Sequence, residues 1–355
     1  MTKALGLFSG GLDSILAALV LRRQGIEVAG VTFVTPFFGA EKALKSAAPL
    51  AIPLIVRDIG AVHLEMLKNP RYGYGRNLNP CIDCHALMFR LAAAMMADGG
   101  FDFLFSGEVL GQRPMSQNLN SLKAVAKASG AGDRILRPLS ARLLPVTAME
   151  KEGRVDRNQL LDIQGRSRRR QEELANEWGV KVYPAPGGGC LLTEKSFINR
   201  LRELLETTPE ADVVDVELLK LGRRFRLPPA AWLTVGRNRE HNEAIRRLAR
   251  PHHWLLQARD CAGPLGLVSG AVDADNLLAA AAIVAGYGKG KNCASLVVAL
   301  RREAENRELI VAPFSAAELA EAARELEQAR DELHQAIDKH GQAVEQSAGN
   351  PGAAS

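Results

Sequence analysis

The chain has 355 residues, of which 47% are hydrophobic and 24% charged, and its net charge is +5 at pH 7. This length exceeds one ordinary compact domain and predicts two domains followed by a tail. Five cysteines in a chain of this size do not indicate a disulfide framework, no signal peptide is recognisable, and the most apolar segment, Leu277–Gly286, is too short to span a bilayer. We therefore expect a cytoplasmic protein without membrane association, and its basic balance permits a nucleic acid partner.

The first predicted element is a strand over Ala4–Phe8, which runs into the Ser-Gly-Gly-Leu-Asp-Ser loop of Ser9–Ser14 and then into a helix over Asp13–Gln24. The two glycines let the backbone approach an anion closely, and the helix points its unpaired N–H groups and positive dipole end at that anion. The two serines add hydroxyl donors, and Asp13 is placed to hold a Mg²⁺ ion that bridges phosphate oxygens. A glycine turn with an ordinary helix cap is the alternative. The order of strand, loop and helix, without a Walker-type lysine, favours a pyrophosphate-binding loop.

Strand and helix signals alternate through about the first 185 residues. Apolar runs that alternate with helices predict a doubly wound parallel sheet, in which ligands bind at the carboxyl ends of the strands. The predicted fold class is therefore α/β, with a second, smaller α+β domain and a C-terminal helix. The further strands are predicted over Val28–Val34, Pro53–Val56 and Phe101–Phe105, and the further helices over Glu41–Ala48, Cys84–Ala97, Ser167–Trp178 and Glu194–Leu205.

Three cysteines of the first part form the second candidate site. Cys81 and Cys84 form a Cys-x-x-Cys pair at a loop-to-helix junction, and Cys190 lies on a loop rich in glycine and proline. Three thiolates leave one corner of a tetrahedral site open, so they could hold a [4Fe–4S] cluster with one iron free for sulfur or substrate. Alternatively, one cysteine carries a persulfide and another resolves it, which needs low thiol pKa values; the helix N-terminus is expected to lower the pKa of Cys84. Half a zinc site, a redox pair and unrelated thiols are the other interpretations.

The composition changes near residue 210, and residues 217–261 contain ten Lys or Arg against four Asp or Glu. A strand over Ala231–Val235, a helix that ends near Ala249 and a strand over Trp254–Gln257 predict a small α+β domain that ends near Pro313. Cys261 and Cys293 have no partner motif there, and we expect both to pack in the core. The basic excess favours RNA as the ligand of this domain.

The last segment begins with a capping box, Ser315–Glu318, that opens a helix. Leu319, Leu326 and Leu333 recur every seven residues on this helix. Two heptads are few, so we expect the helix to pack on the body of the protein, with a homodimer contact as the alternative. From Gln342 onward the residues are small and polar, which predicts a disordered tail.

Three separated motifs resemble the tRNA thiolation branch of the PP-loop (N-type) ATP pyrophosphatases. Ser9–Ser14 is similar to the loop of that superfamily, and residues 79–84 resemble the Asn-Pro-Cys-x-x-Cys of 2-thiouridylases. Residues 106–112, followed by Ser116 and Gln117, are similar to the Thr-Gly-Glu-x-x-Gly-Gln segment of 4-thiouridine synthetases. The resemblance covers about residues 1–200 and implies an adenine nucleotide alpha hydrolase-like fold. It also implies that Mg·ATP adenylates a uridine carbonyl oxygen of tRNA, after which sulfur displaces AMP.

Residues 235–243 and 251–255 look like the RNA-binding domain of the NFACT family. Together the resemblances predict a PP-loop domain over 1–205, an NFACT-type domain over 213–313, a helix over 314–341 and a tail over 342–355. They imply catalytic roles for Asp13, Cys81, Cys84 and Cys190. They imply ATP contacts from Phe8, Ser9, Gly10, Gly11, Asp13, Ser14, Thr32, Phe33, Gly107, Glu108 and Gln112. They imply RNA contacts from Arg166, Arg168, Arg237, Asn238, Arg239 and Asn242.

Several of these assignments have alternatives. Glu108 and Gln112 are either polar ligands of the nucleotide or substrate, or ordinary caps of the next helix. The basic cluster at residues 165–170 either binds phosphates or is a solvated face. Trp254 either stacks on a base or packs in the core.

The resemblance implies ATP and Mg²⁺ as cofactors, with tRNA and a sulfur donor (sulfide or a persulfide carrier) as partners. A [4Fe–4S] cluster on the three cysteines is one of the two alternatives for sulfur transfer, and a persulfide is the other. The domain that commonly precedes the loop in 4-thiouridine synthetases, and the sulfur-carrier domain that some of them have, are not evident in the sequence. Two other functions fit the PP-loop. One is an amide-forming adenylating synthetase acting on a small carboxylate, which has no need of three cysteines, and the other is an RNA-binding factor that uses ATP as a switch.

Overall fold

The computed structural model describes residues 1–75, 77–185, 189–228 and 230–325, and the chain divides between Ile198 and Asn199 into two compact units. The predicted tail over 342–355, and the part of the predicted helix beyond residue 325, lie outside the described residues. Within those described ranges, no helix is long and apolar enough to cross a lipid bilayer.

A five-stranded parallel sheet forms the first unit, with strand order β3-β2-β1-β4-β5. Its strands are β1 (Lys3–Leu7), β2 (Glu27–Val34), β3 (Leu54–Asp58), β4 (Phe103–Ser106) and β5 (Ile135–Leu136). The order reverses between β1 and β4, which are neighbours in the sheet but far apart in sequence. This is the topological switch point at which α/β sheets bind ligands.

Among the described residues, seven α-helices lie within this unit, and an eighth runs past its last residue, Ile198. They are α1 (Leu12–Arg22), α2 (Glu41–Ala47), α3 (Gly60–Lys68), α4 (Cys81–Asp98), α5 (Leu119–Ser129), α6 (Ala148–Lys151), α7 (Arg169–Glu177) and α8 (Lys195–Thr207). Helix α4 begins three residues earlier than predicted, so both cysteines of the Cys-x-x-Cys pair lie in its first turn. Helices α3, α5 and α6 were not predicted.

Alternating residues of each strand face opposite sides of the sheet, and each side has its own core. Ala4 and Phe103 pack with helix α1 on one side, whereas Leu5 and Leu104 pack with helix α4 on the other. Both faces of the sheet are therefore covered by helices, which confirms the predicted doubly wound fold.

The second unit contains a six-stranded antiparallel sheet with strand order β11-β10-β8-β9-β7-β6. Leu256 and Val268 pack with the apolar helix α11 on one face of this sheet, and Leu267 packs with Ile245 of helix α10 on the other. The result is the predicted α+β architecture. The strands are β6 (Arg223–Leu227), β7 (Ala230–Val235), β8 (Trp254–Ala258), β9 (Gly266–Ala271), β10 (Leu296–Arg302) and β11 (Glu305–Val311), and the helices are α9 (Val213–Leu219), α10 (Arg239–Leu248) and α11 (Ala274–Gly286).

The predicted capping box at the end of the chain is present. The Ser315 N–H donates to Glu318 Oε2 at 2.7 Å, the Glu318 N–H donates to Ser315 Oγ at 3.3 Å, and residues 316–325 are helical. Leu319 is buried against the core of the second unit, as expected for a helix that packs on the body. Leu326 and Leu333 lie outside the described residues.

Candidate active site

The loop Ser9–Ser14 connects β1 to α1 at the switch point, and its shape depends on the glycines. Gly10 has a φ of +75°, and a Cβ there would lie 2.7 Å from the Cα of Ala43 and closer still to the Lys42 carbonyl. Gly11 has a φ of −73°, and a Cβ there would meet only the hydroxyl of Ser9, at 3.4 Å. The backbone of the loop is therefore open on the Gly11 side and tightly packed on the Gly10 side, where the Ser46 hydroxyl donates to the Gly10 carbonyl at 2.9 Å.

The hydroxyl of Ser14 stabilises the loop itself. It donates to the Gly11 carbonyl at 2.8 Å, and the residue is buried. Ser9 is exposed, with its hydroxyl 3.4 Å from the Gly11 nitrogen. Within the described part of the chain no side chain caps the N-terminus of α1, so the N–H groups of its first turn face the loop without that competitor.

Asp13 is the carboxylate of this loop. Its Oδ2 accepts a hydrogen bond of 2.9 Å from Gln112 Nε2, whereas its Oδ1 is buried without a hydrogen-bond partner among the described residues. A buried carboxylate oxygen without a partner is costly unless a cation or donor completes it. The arrangement fits a Mg²⁺ ion by ligand type, since Mg²⁺ prefers carboxylate oxygens.

Phe8, Thr32 and Phe33 of the predicted ATP set have buried side chains. Phe8 and Phe33 pack in the cores on the two sides of the sheet, and Thr32 is 6% exposed. Contact of these residues with a nucleotide would therefore involve the backbone. Gly107, at the end of β4, has a different role, because a Cβ there would lie 2.6 Å from the Asp13 carbonyl oxygen. The absence of a side chain at residue 107 lets β4 end directly against the nucleotide loop.

Glu108 is a buried ion-pair partner rather than a helix cap. Its Oε2 accepts from Arg137 Nε at 2.8 Å, and its Oε1 lies 2.7 Å from His85 Nδ1. Burial alone would raise the pKa of Glu108, but the Arg137 guanidinium and His85 outweigh burial and hold the pKa at about 2. The carboxylate therefore stays charged and fixes His85, the residue that follows Cys84.

Gln112 links the nucleotide loop to the basic cluster. Its Oε1 lies 3.5 Å from Gln171 Nε2 on α7, and the Gly165 N–H donates to the Leu110 carbonyl at 2.8 Å. Arg169 pairs with Glu173, and Arg170 pairs with Asp162. Arg166 is exposed, and the Nε atom of Arg168 is buried without a partner in the described ranges. The two arginines predicted to bind phosphates are thus distinct from the two that form local ion pairs.

The three cysteines come from two distant segments. Cys81 and Cys84 lie in the first turn of α4, and the Leu191 N–H donates to the Phe37 carbonyl at 2.9 Å, which ties the Cys190 loop to the segment after β2. Cys190 and Cys81 both contribute to raising the pKa of Cys84. The three thiols are therefore coupled electrostatically, although they come from segments far apart in sequence.

The predicted lowering of the Cys84 pKa is wrong. Burial raises the pKa of Cys84 well above its usual value, and the neighbouring Cys190, Cys81 and Asp83 raise it further. Burial also raises the pKa of Cys190, to about 11. Desolvation of the thiolate by the surrounding protein outweighs the helix dipole at Cys84.

Sequence reasoning missed His63, which lies on α3. The residue is fully buried, and its Nε2 lies 3.3 Å from the Cys84 sulfur. The rings of Phe37 and Phe38 pack against it at centroid distances of 5.5 and 5.6 Å. Burial lowers the pKa of His63 to about 4, so the imidazole is neutral at pH 7. Only the apolar spacing of residues 59–67 could have indicated this helix.

The donor set of the three cysteines fits an iron–sulfur cluster by type, since such clusters bind cysteine thiolates. As arranged here, however, no three His, Cys, Asp or Glu residues among those that the structure describes converge closely enough to hold a metal ion. The thiols interact electrostatically without forming a closed ligand set.

In the second unit, the candidate RNA-binding residues lie just before α10 and in its first turn. Arg237 is exposed, and Arg239 is exposed while it pairs with Glu243 at 2.8 Å. The Asn238 side chain accepts from the His241 N–H at 2.8 Å, and the Asn242 side chain accepts from the Leu265 N–H at 3.1 Å. Each asparagine thus has a structural role through its carbonyl oxygen.

Trp254 is 2% exposed and lies in the core, with the Arg302 guanidinium 4.4 Å from its ring centroid. The stacking role for this residue is therefore excluded.

The expectation that Cys293 packs in the core is wrong, because that residue is exposed at the end of a tight turn. Cys261 is only half-buried.

Two family models match the chain, one in each part. Residues 1–142 match the family model of the thiamine biosynthesis protein (ThiI), and residues 222–322 match that of the NFACT protein RNA binding domain. The chain is 26% identical over 285 residues to the tRNA-specific 2-thiouridylase MnmA 1 of Syntrophus aciditrophicus, covering 75% of this chain and 70% of that protein.

The chain is also 30% identical over 148 residues to a probable tRNA sulfurtransferase of Ureaplasma urealyticum, covering 39% of this chain and 36% of that protein. Among solved structures, a 4-thiouridine synthetase–RNA complex with bound ATP is similar over 62% of this chain and 52% of that chain, at 20% identity and a TM-score of 0.35. The first part of the chain resembles the PP-loop tRNA thiolation enzymes and the second part resembles the NFACT-type RNA-binding domain, which confirms the resemblance that the motifs indicated.

Proposed function

We propose that the chain is an ATP-dependent tRNA sulfurtransferase that adenylates a uridine carbonyl oxygen and replaces it with sulfur through Cys81, Cys84 and Cys190. The observation that carries the proposal is the presence, in one compact unit, of a pyrophosphate loop with an unpartnered Asp13 oxygen and of three interacting thiols. The similarity of this unit to tRNA thiolation enzymes supports the same reaction.

Activation begins when the uridine carbonyl oxygen attacks the α-phosphorus of ATP. The bond between the α-phosphorus and the bridging oxygen breaks, and pyrophosphate leaves with the electron pair. The backbone N–H groups of the Ser9–Ser14 loop and of the first turn of α1 would bind the pyrophosphate. Bound Mg²⁺ would neutralise phosphate charge, and Asp13 Oδ1 would hold it.

A sulfur nucleophile then attacks the activated carbon, and AMP leaves with the electrons of the carbon–oxygen bond. In the persulfide route, the terminal sulfur of one cysteine persulfide attacks the carbon, and a second thiolate breaks the sulfur–sulfur bond. The thiocarbonyl is released and a cysteine disulfide remains, which an external dithiol reduces. In the cluster route, the three cysteines would have to come closer together than they are here to hold a [4Fe–4S] cluster, which would supply an open iron for sulfide.

The test is anaerobic purification followed by iron and sulfide analysis of the wild type, Cys190→Ala and the matched control Cys293→Ala, whose thiol is exposed in the second unit. Each protein is then incubated with tRNA, ATP and sulfide, and the nucleosides are analysed by mass spectrometry. We expect an ATP-dependent thiouridine from the wild type and from Cys293→Ala, and none from Cys190→Ala.

The outcomes separate the alternatives. A protein that lacks iron and needs a persulfide donor excludes the cluster route. A Cys190→Ala protein with full thiolation activity contradicts the three-cysteine site. If no modified nucleoside forms while all three cysteine-to-alanine variants still release AMP from ATP with a carboxylate acceptor, the protein is an amide-forming synthetase instead.

For the second unit we propose that exposed basic residues at the start of α10, above all Arg237, bind RNA phosphates. Its match to an RNA-binding domain and its ten Lys or Arg residues within 217–261 support this role. Replacing Arg237 with Ala should weaken tRNA binding at 100 mM salt and reduce the slope of log affinity against log salt by about 1. Arg259→Ala is the control, because Arg259 pairs with Glu308. Equal slopes for Arg237→Ala and wild type would contradict the contact.

A further inference from the structure

The segment before the Cys-x-x-Cys pair, residues 69–75, exposes two aromatic rings and is here called the tyrosine loop. Tyr72 is 38% exposed and Tyr74 is 43% exposed. The loop connects the end of α3 to the stretch that leads into Cys81. Exposed aromatic rings next to a candidate active site are typical of a binding surface.

The loop is held in place by several hydrogen bonds. Asp83 accepts from the Arg71 N–H at 3.2 Å and from the Tyr72 N–H at 2.9 Å. The Tyr74 hydroxyl donates to the Leu67 carbonyl at 2.7 Å. Gly73 provides the turn between the two tyrosines with a φ of +69°. Both rings therefore extend from a backbone that hydrogen bonds hold in place. A ligand that stacks on them binds with little loss of conformational entropy in this loop.

Asp83 connects this loop to the thiols. It is a buried residue that lies between Cys81 and Cys84 in the first turn of α4. The same carboxylate that fixes the backbone of Arg71 and Tyr72 thus belongs to the turn that carries two of the three cysteines. The tyrosine loop and the cysteine turn form one local structure.

The charge of the segment indicates what binds there. Residues 69–75 contain no Asp or Glu, and the Arg71 guanidinium lies 5.7 Å from the centroid of the Tyr72 ring, whereas the nearby Lys68 pairs with Glu65. A cation beside an exposed aromatic ring fits a base with its phosphate, since unpaired bases stack on aromatic side chains and arginine while basic groups contact the backbone.

We propose that the tyrosine loop binds unpaired RNA bases next to the uridine that is modified. Tyr72 and Tyr74 stack on the bases, and Arg71 contacts a phosphate. This rests on the proposed function for the identity of the RNA, but the binding itself needs neither ATP nor sulfur. The partner is single-stranded RNA rather than a duplex, whose bases are already stacked on one another.

The test uses the full chain and a short uridine-rich oligoribonucleotide that carries 5-bromouridine. Ultraviolet crosslinking followed by peptide mass spectrometry should place a crosslink within residues 69–75. An excess of unlabelled single-stranded RNA should compete it away, and a duplex of equal length should not. Crosslinks only in the second unit, or equal competition by duplex RNA, would overturn the proposal.

Variants sharpen the test. Tyr72→Ala should weaken binding at this loop by about 5- to 100-fold, the range for loss of one base-stacking contact. Tyr72→Phe keeps the ring and should bind as the wild type does. Val62→Ala, an exposed apolar position on α3, is the control for the loss of surface area. Wild-type crosslinking yield and affinity in a folded Tyr72→Ala protein would also overturn the proposal.

The outcomes of the two proposals are distinguishable. If thiolation never occurs but Tyr72→Ala abolishes the crosslink, the RNA site exists and the proposed activity is wrong. If Tyr72→Ala crosslinks and thiolates tRNA as well as the wild type, the activity stands and the loop has no role in RNA binding.

Discussion

The nucleotide loop and the cysteine cluster lie in the same compact unit but are held by different means. The Ser9–Ser14 loop depends on backbone packing, because Gly10 leaves no room for a side chain and the hydroxyls of Ser14 and Ser46 bond to loop carbonyls. The cysteine cluster depends on buried side chains from other segments, namely His63 behind Cys84 and the Glu108–Arg137 pair behind His85. Substitutions that add atoms should therefore disturb the nucleotide loop most. Substitutions that remove a charged group or an aromatic ring should disturb the cysteine cluster most.

The largest expected effect is on the cysteine side. Glu108→Gln leaves the Arg137 guanidinium buried without its counter-charge, which should lower the free energy of unfolding by about 3–5 kcal/mol. Because the pKa of Glu108 falls from its ordinary 4.5 to about 2 in the folded protein, its contribution is present above pH 4.5 and is lost as the pH falls toward 2. Urea unfolding of both proteins between pH 7 and pH 2.5 measures this. A stability difference that stays constant across that range would contradict the ion pair.

On the nucleotide side, Gly10→Ala and Gly11→Ala form a matched pair. Alanine at position 10 must adopt a positive φ and meets the Lys42 and Ala43 backbone, so we expect a loss of about 2–4 kcal/mol and of ATP binding. Alanine at position 11 has an ordinary φ and open space, so the fold should keep its stability. Thermal unfolding and equilibrium binding of ATP provide the two measurements. Equal stabilities of the two variants would show that the loop is not packed as described.

His63→Gln tests whether the imidazole positions Cys84. The amide of glutamine can still reach the sulfur, whereas His63→Ala cannot and also leaves a cavity that should cost about 2–3 kcal/mol. We expect His63→Ala to lower thiolation by about 10- to 100-fold, as for other residues that orient a reacting ligand, and His63→Gln to retain more of it. The rate of Cys84 alkylation, followed by peptide mass spectrometry, reports the same contact without turnover. Unchanged alkylation in a folded His63→Ala protein would show that His63 only fills space.

The smallest expected effect is that of Gln112→Ala. The substitution removes the amide that donates a hydrogen bond to Asp13 Oδ2. Loss of one hydrogen bond to a charged group should lower the free energy of unfolding by about 1.5–3 kcal/mol or less, because the site is only partly buried. ATP affinity should fall in the presence of Mg²⁺, while iron and sulfide content should match that of the wild type. A change in iron content would mean that the two sites are less separate than their packing indicates.

The two sites also differ in how far the sequence predicts them. The nucleotide loop is a local motif, so its strand, glycines and helix follow from consecutive residues. The grouping of Cys81, Cys84 and Cys190 as one candidate site was suggested by the Cys-x-x-Cys pair and the glycine-rich loop, but the neighbours that set their chemistry come from tertiary packing. His63 lies on a short helix with weak periodicity, and Arg137 follows a two-residue strand. The Cys84 pKa was predicted in the wrong direction because desolvation of the thiolate, which depends on tertiary packing, was left out.

The second unit gives the same lesson. The capping box at Ser315–Glu318 was predicted from four residues and is present. The exposure of Cys293 was harder to predict, because it depends on the turn before β10, which no short motif encodes.

The absence of a side chain at residue 107 has a mechanical consequence. The end of β4 rests directly on the backbone of Asp13, and the next residue, Glu108, orients His85 beside Cys84. A ligand that shifts the first turn of α1 must therefore also displace the backbone at the end of β4, which positions Glu108 and, through it, His85 beside Cys84. Any such energetic coupling is reciprocal, so occupancy of the thiol site should alter ATP affinity by the same factor by which ATP alters binding at the thiols.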